Sequence, residues 1–243
     1  MKYVTKFETQ SAYTAAEGSL ILPNVSLIAE TNGVSYKPVE PAPSHDFVEI
    51  GGIKWATMNV GATGVTDYGL YFQWGDTQGY TAAQVGEGEG KKYFGEDDCI
   101  YYNNGSYTKY NEGDSKITLE STDDAANAAW GGNWRMPTVS EFIALGEATT
   151  SAWTADYQGT GVSGLVLTSI ADGATLFFPA CGHADNGSVY AVGSYGYYWS
   201  SSLHADFGDS YAYYLGFGSS YVDWGSNYYR FCGCHVRGVF GEN

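Results

Sequence analysis

The chain of 243 residues carries 27 acidic against 11 basic side chains, a formal net charge of −16. That balance repels phosphate backbones and argues against nucleic acid as a partner. No run of about 18 apolar residues offers a membrane-spanning helix, and the start, Met1 through Glu8, lacks the apolar stretch of a secretion signal.

The first 40 residues read as an N-terminal appendage, for attachment or oligomerisation. Lys6 to Gly18 has a modest helical pattern, Leu20 to Ile28 is an apolar stretch broken at Pro23-Asn24, and Asn32-Gly33 predicts a tight hairpin turn. An appendage this small cannot bury a core of its own, so it is expected to dock on a neighbour or partner. Pro38, Pro41 and Pro43 make a stiff linker that ends at residue 45, and residues 46–243 form the main domain.

Two apolar runs, Asp46–Ile50 and Ile53–Val60, flank Gly51-Gly52 and predict a β-hairpin. Leu70–Trp74 is a further strand candidate, and Gly75–Ser115, rich in glycine, acid and tyrosine, predicts long loops. Thr122–Trp130 has a cap, first-turn acids and helix formers, with Gly131-Gly132 to stop it. Thr138 and Glu141 form a capping box for a second helix, with Phe142 and Leu145 facing inward and Gly146 as its end. Strands are then expected at Gly164–Ser169, Ala174–Pro179, Tyr197–Ser201, Ala212–Phe217 and Arg230–Phe240. Helices in the middle of a mostly antiparallel chain give an α+β class.

Chemistry-bearing patterns are sparse. Cys99 and Cys181 stand alone, and Cys232-Gly-Cys234 lacks the second ligand pair of a zinc site. The acids around Glu87 and Glu96 do not have calcium-loop spacing, and no serine elbow accompanies the four histidines. No catalytic residue, metal or cofactor is expected. Gly187–Phe240, by contrast, holds ten tyrosines and no lysine. Tyr with Ser, Gly and Asn is the composition of antibody-like contact surfaces, where rigid amphipathic rings bind at low entropic cost. Composition alone leaves this reading and a ligand-free surface level. In Ala212–Phe217 the parity puts Leu215 and Phe217 in the core and Tyr214, Gly216 and Gly218 outside, and outward strand glycines are a poor choice for stability.

Several stretches together resemble a known family: Gly52-Ile-Lys-Trp55 through Asn59-Val60-Gly61, Gly69-Leu-Tyr71-Phe72-Gln-Trp74-Gly75-Asp76, Trp134-Arg135-Met136-Pro137-Thr138, Leu176-Phe-Phe-Pro179-Ala-Cys-Gly182, Tyr198-Trp199-Ser200-Ser201, and Arg230-x-x-Gly233-x-x-Val236-Arg237. Their order resembles the Fibrobacter succinogenes major paralogous domain family over roughly residues 46–240. The resemblance implies a C-type-lectin-like fold of the type related to formylglycine-generating enzymes. The ending is similar to the variable proteins of diversity-generating retroelements, in which adenine-directed randomisation of the coding sequence alters a C-terminal segment, here about residues 197–239.

By that resemblance the ligand-binding positions are Tyr197, His204, Asp206, Phe207, Asp209, Tyr214, Gly216, Gly218, Tyr221, Asp223, Ser226, Asn227, Tyr228, Phe231, Cys232, Cys234 and His235. They alternate with framework residues such as Trp199, Leu215, Phe217, Val236 and Arg237. The implied function is receptor binding, with a protein or glycan on a bacterial surface as partner, in a phage virion whose N-terminal segment attaches it. The appendage is similar to N-termini of phages of gut Bacteroides. A non-diversified bacterial surface or secreted domain with a structural or glycan-adhesion role is the alternative, and an oxidase of the formylglycine-generating type is a third. The enzymes' cysteines lie several residues apart, unlike Cys232 and Cys234, and the calcium-lectin sequence elements do not occur. A homo-oligomer stays open.

Overall fold

A computed structural model describes the backbone of residues 25–30 and 33–38, and residues 45–204, 206 and 208–241 in full. The helical reading of Lys6–Gly18, the apolar stretch before Val25, and Pro41 and Pro43 of the linker lie outside the described residues. The chain divides into two units, Met1–Ala42 and Pro43–Asn243. In the first, β1 (Val25–Glu30) and β2 (Gly33–Pro38) pair antiparallel, with Glu30 opposite Gly33. Gly33, read from the sequence as part of the turn, is thus the first residue of β2.

The second unit is mostly antiparallel β with two α-helices. β3 (Phe47–Ile50) and β4 (Ile53–Asn59) form the hairpin that Gly51-Gly52 announces. Both glycines sit in the left-handed region, at φ 62° and 80°, the requirement of a two-residue turn whose twist matches the strands. Leu70–Trp74 is not a strand. Tyr71 and Phe72 make single bridges, to Tyr80 and Cys234, because this segment threads between loops rather than lying along a sheet. Within the predicted loop region the only ladder among described residues is a small hairpin of β5 (Tyr102–Asn103) and β6 (Ser106–Tyr107).

Helix α1 (Ala125–Trp130) starts later than expected. Asp124, not Thr122, is its cap, accepting from the Ala126 and Asn127 N–H groups, and a short 3-10 turn precedes it. Gly131, at φ 67°, stops it. β7 (Trp134–Arg135) then leads to α2 (Val139–Ala148), where the Thr138–Glu141 box forms as the spacing predicted. Arg135 clamps Glu141 through two bonds of 2.8 and 2.6 Å. Gly146 does not end α2. It lies inside the helix, where a Cβ would sit 2.6 Å from Trp224 Cε2.

The remaining strands are β8 (Thr149–Thr154), β9 (Gly164–Ser169), β10 (Thr175–Pro179), β11 (His183–Asp185), β12 (Ser188–Tyr190), β13 (Tyr195–Leu203), β14 (Tyr211–Gly218), β15 (Tyr221–Tyr229) and β16 (Arg237–Phe240). Three sheets organise the unit, in orders β3-β4-β16-β7, β10-β9-β8 and β13-β14-β15. The expected long strand Arg230–Phe240 is only β16. Residues 230–236 cross between sheets instead, touching them through single bridges at Gly233, Cys234 and His235. By inserting β16 between β4 and β7, the chain's end is locked to the unit's first hairpin.

One face of β13-β14-β15 is covered by the core, and the other is covered in part. Tyr198, Leu215 and Phe217 join one core cluster with Trp55, Phe142 and Phe178. Trp199, Ala212 and Tyr214 join another with Phe72, Trp74 and Val236. Two buried arginines pin the ending. Arg237 donates to Asn59 Oδ1 at 2.9 Å and to the Ala56 carbonyl at 3.0 Å, above the Phe178 ring. Arg230 donates to the carbonyls of Tyr110, Asp209 and Lys109, its guanidinium 4.0 Å from the Tyr107 ring centroid and 4.7 Å from that of Trp74.

Candidate functional site

The tyrosines of the C-terminal sheet converge on one surface. Tyr195 and Tyr197 share a face of β13, because strand side chains alternate, and they stand opposite Gly218 and Gly216 of β14. The glycines leave room for rings. A Cβ on Gly216 would lie 2.8 Å from Tyr214 Cε2, and one on Gly218 would lie 2.8 Å from Tyr195 Cδ1 and 3.2 Å from Tyr221 Cε1. The outward glycines that looked wasteful are thus roofed by tyrosines, and Tyr214, Gly216 and Gly218 are buried instead of facing solvent.

Tyr197 stacks on Tyr214, centroids 5.3 Å apart and planes within 7°. Tyr228 packs against both rings. The hairpin β11-β12 closes this group from the side. His183, nearly buried, has its ring 4.5 Å from Tyr197 and 5.6 Å from Tyr190, and its Nε2 lies 3.1 Å from the Tyr228 hydroxyl. Burial pushes the His183 pKa down and the Tyr197 hydroxyl up to about 12, so these groups are uncharged at neutral pH. Exposed rings surround the cluster: Tyr190, Tyr195, Tyr221 and Tyr229, each between 40% and 46% exposed. Tyr229 continues into Tyr211 at 4.5 Å and Phe231 at 5.1 Å.

The structure sorts the expected contact positions. Asp206, Tyr221 and Asp223 are exposed; Tyr197, Asp209, Ser226, Asn227, Tyr228 and Phe231 are half-buried; Phe207 lies outside the described residues. His204, Cys232, Cys234 and His235 are buried. Side chains with so little accessible surface offer a ligand almost nothing to touch, so these four belong to the interior. For Cys232, Cys234 and His235 the reason is the crossing of residues 230–236 beneath the sheet, which turns the ending inward where continuous alternation would have displayed it. His204, just past β13, instead packs its ring on Tyr213 at 4.2 Å. The thiols of Cys232 and Cys234 are both pushed well up by burial, which keeps them protonated and poor as nucleophiles or metal ligands.

Sequence reasoning missed His183, Tyr190, Tyr195, Tyr211 and Tyr229. The tyrosine count of Gly187–Phe240 is the signal that could have found four of them. His183 precedes that segment and joins the site only through the β11-β12 hairpin.

A family model described as a domain of unknown function (DUF8237) matches residues 153–239. The matched span starts in β8, ends in β16 and contains the whole aromatic face, just over a third of the chain. No curated protein and no solved structure matches the chain.

Proposed function

We propose that the protein is a receptor-binding protein of the diversity-generating-retroelement type, a C-type-lectin-like scaffold that presents the face of β13-β14-β15 to a protein or glycan on a bacterial surface. In this reading it is carried on a phage virion, attached through the N-terminal residues. One observation carries the proposal: a continuous set of tyrosines, half of them exposed, rests on a framework whose Trp199, Leu215, Phe217, Arg230, Val236 and Arg237 have no accessible surface. Separation of a rigid interior from an aromatic exterior is what a contact surface needs, because rings held in place lose little entropy on binding. The variable positions reduce to Asp206, Asp209, Tyr221, Asp223, Ser226, Asn227, Tyr228 and Phe231, together with Tyr197. The buried cysteines and histidines become framework.

Two measurements test it. The coding DNA should lie near a close repeat differing at adenines, with a reverse transcriptase gene; neither being present would remove the diversification. Labelled protein should bind cells of some strains in a panel of gut Bacteroides. The triple variant Tyr221→Ala, Asp223→Ala, Tyr229→Ala should lose that binding while unfolding at nearly the same temperature. Undiminished binding by the triple variant would place the contact elsewhere.

A further inference from the structure

A groove of about 400 Å³ runs between β8 and the end of the β14-β15 hairpin, lined by Ser151, Trp153, Ser219, Ser220, Tyr221 and Trp224 among others. β8 and β15 are both edge strands of their sheets, so their side chains border open space on one flank. The volume falls within the roughly 300–1,000 Å³ of small-ligand sites. Aromatic rings and serine hydroxyls dominate the lining, with glycine backbone and the aliphatic Leu165 and Val222 beside them; none of the lining residues is charged. In a chain of net charge −16 that is a selective local feature. The other clefts differ: one of about 520 Å³ includes Glu112, Lys116 and Asp209, and one of about 310 Å³ includes Glu96, Asp97 and Asp98.

The rings are held before any ligand arrives. Trp224 lies against Gly146 of α2, where even a Cβ would collide with it. Trp153 packs on the first core cluster yet stays half-buried. Tyr221 is 45% exposed and leans on Tyr195, centroids 6.1 Å apart. Ser151 and Trp153 occupy one face of β8, two residues apart.

We infer that this groove binds a neutral oligosaccharide. Ring faces carry negative quadrupolar charge and attract the weakly positive C–H faces of a pyranose. Serine hydroxyls both donate and accept, which suits a polyhydroxyl ligand with no charge. The absence of a lining cation or anion disfavours sialylated or phosphorylated sugars. The groove is distinct from the His183-centred face, sharing with it the Gly218–Tyr221 turn, and its occupancy does not depend on receptor binding there.

The test uses the full chain titrated with maltohexaose, cellohexaose, xylohexaose, mannohexaose and chitohexaose at up to millimolar concentration, read by calorimetry and by tryptophan fluorescence. At least one should bind and shift the emission. Trp153→Ala should weaken that binding at least about tenfold. Ser220→Asp, in an exposed turn where folding is not at stake, should weaken it comparably by bringing charge and bulk to the rim. Tyr229→Ala, on the other face, should leave it unchanged. No heat and no spectral shift with any of the five sugars overturns the inference. So does a Ser220→Asp protein that binds as tightly as the unaltered chain. Tyr221 borders both sites, so single variants separate the two proposals: Tyr229→Ala should weaken cell binding and leave the sugars bound, and Trp153→Ala should do the reverse.

Discussion

The ring of Tyr214 covers Gly216 so closely that a Cβ added there would lie 2.8 Å from Tyr214 Cε2 and 3.1 Å from its hydroxyl oxygen. Tyr214 cannot swing away cheaply, because it is stacked on Tyr197 and braced by Trp199 and Tyr228. Gly216→Ala should therefore destabilise the domain by about 1–3 kcal/mol, the usual range for overpacking. Gly196→Ala should cost more, since its Cβ would lie 2.1 Å from Phe217 Cζ in the core. Urea midpoints of the two variants check the order. If Gly216→Ala unfolds with the unaltered protein, the ring is mobile and the roofed-glycine account is wrong.

How far the sequence speaks depends on whether a signal is local. Gly51-Gly52 predicts its hairpin because both residues must take positive φ within two residues of the strands they join. Thr138 and Glu141 are legible for the same reason, their bonds closing over three residues. β15 was missed, because Tyr221-Val-Asp-Trp-Gly-Ser-Asn-Tyr-Tyr229 has no apolar alternation, and its pairing comes from β14 beside it. At the candidate site the tyrosine-rich composition marked the region, but parity alone put Tyr214, Gly216 and Gly218 at the surface. It could not know that Tyr214 of β14 itself would fold over Gly216, and Tyr195 of β13 with Tyr221 of β15 over Gly218. His183 was invisible because it reaches Tyr228 across 45 residues of sequence.

Acid should weaken the domain through His235. Its ring is fully buried, and burial pushes its pKa down to about 3. An unfolded chain takes up that proton near pH 6.5, whereas the folded one does not until about 3. Folded protein thus binds fewer protons throughout that window, and stability falls as pH drops through it, by up to about 1.4 kcal/mol per pH unit from this group. His183 adds to the same trend, its pKa also being lowered by burial. Unfolding followed from pH 7 to pH 4 should show a shallower decline in His235→Phe than in the unaltered protein. Parallel declines would mean that the His235 ring is protonated in the fold.

Thiol chemistry gives a direct check on burial. All four cysteines are unpaired and buried, and burial raises Cys99 to about 11 and Cys181 to about 12. Cys181 is further enclosed by Tyr198, its Sγ 3.0 Å from the hydroxyl. Only thiolate reacts readily with a disulfide reagent. Ellman's reagent at pH 8 should label none of the four within minutes in the native protein and all four in denaturant. Rapid native labelling at Cys232 or Cys234 would reopen a redox role for that pair.

The last prediction separates framework from surface. Arg237 is fully buried, its Nε donating to Asn59 Oδ1 and its Nη1 to the Ala56 carbonyl. Among the described residues no carboxylate pairs with it, and desolvation lowers its pKa to about 10, so the charge itself stabilises little. What the residue supplies is satisfaction of two buried acceptors and a tie between β16 and β4. Arg237→Ala would leave both acceptors unpaired, at about 1–3 kcal/mol, and open a cavity beside Phe178 besides. Trp199→Ala should cost about 3–5 kcal/mol, because the indole fills the second core and donates to the Phe72 carbonyl at 2.9 Å. Tyr221→Ala, Asp223→Ala and Tyr229→Ala remove exposed groups, and each should change stability by no more than about 0.5 kcal/mol. His204→Ala and Cys234→Ala, once grouped with those surface positions by their place in the ending, should behave like the framework. A deep mutational scan for folded expression reads all of these at once. Tolerance at 221, 223 and 229 with intolerance at 199, 204, 234 and 237 is the expected pattern. Equal intolerance at the first three would mean that the exposed tyrosines hold the sheet together, and the contact surface would have to be sought on another face.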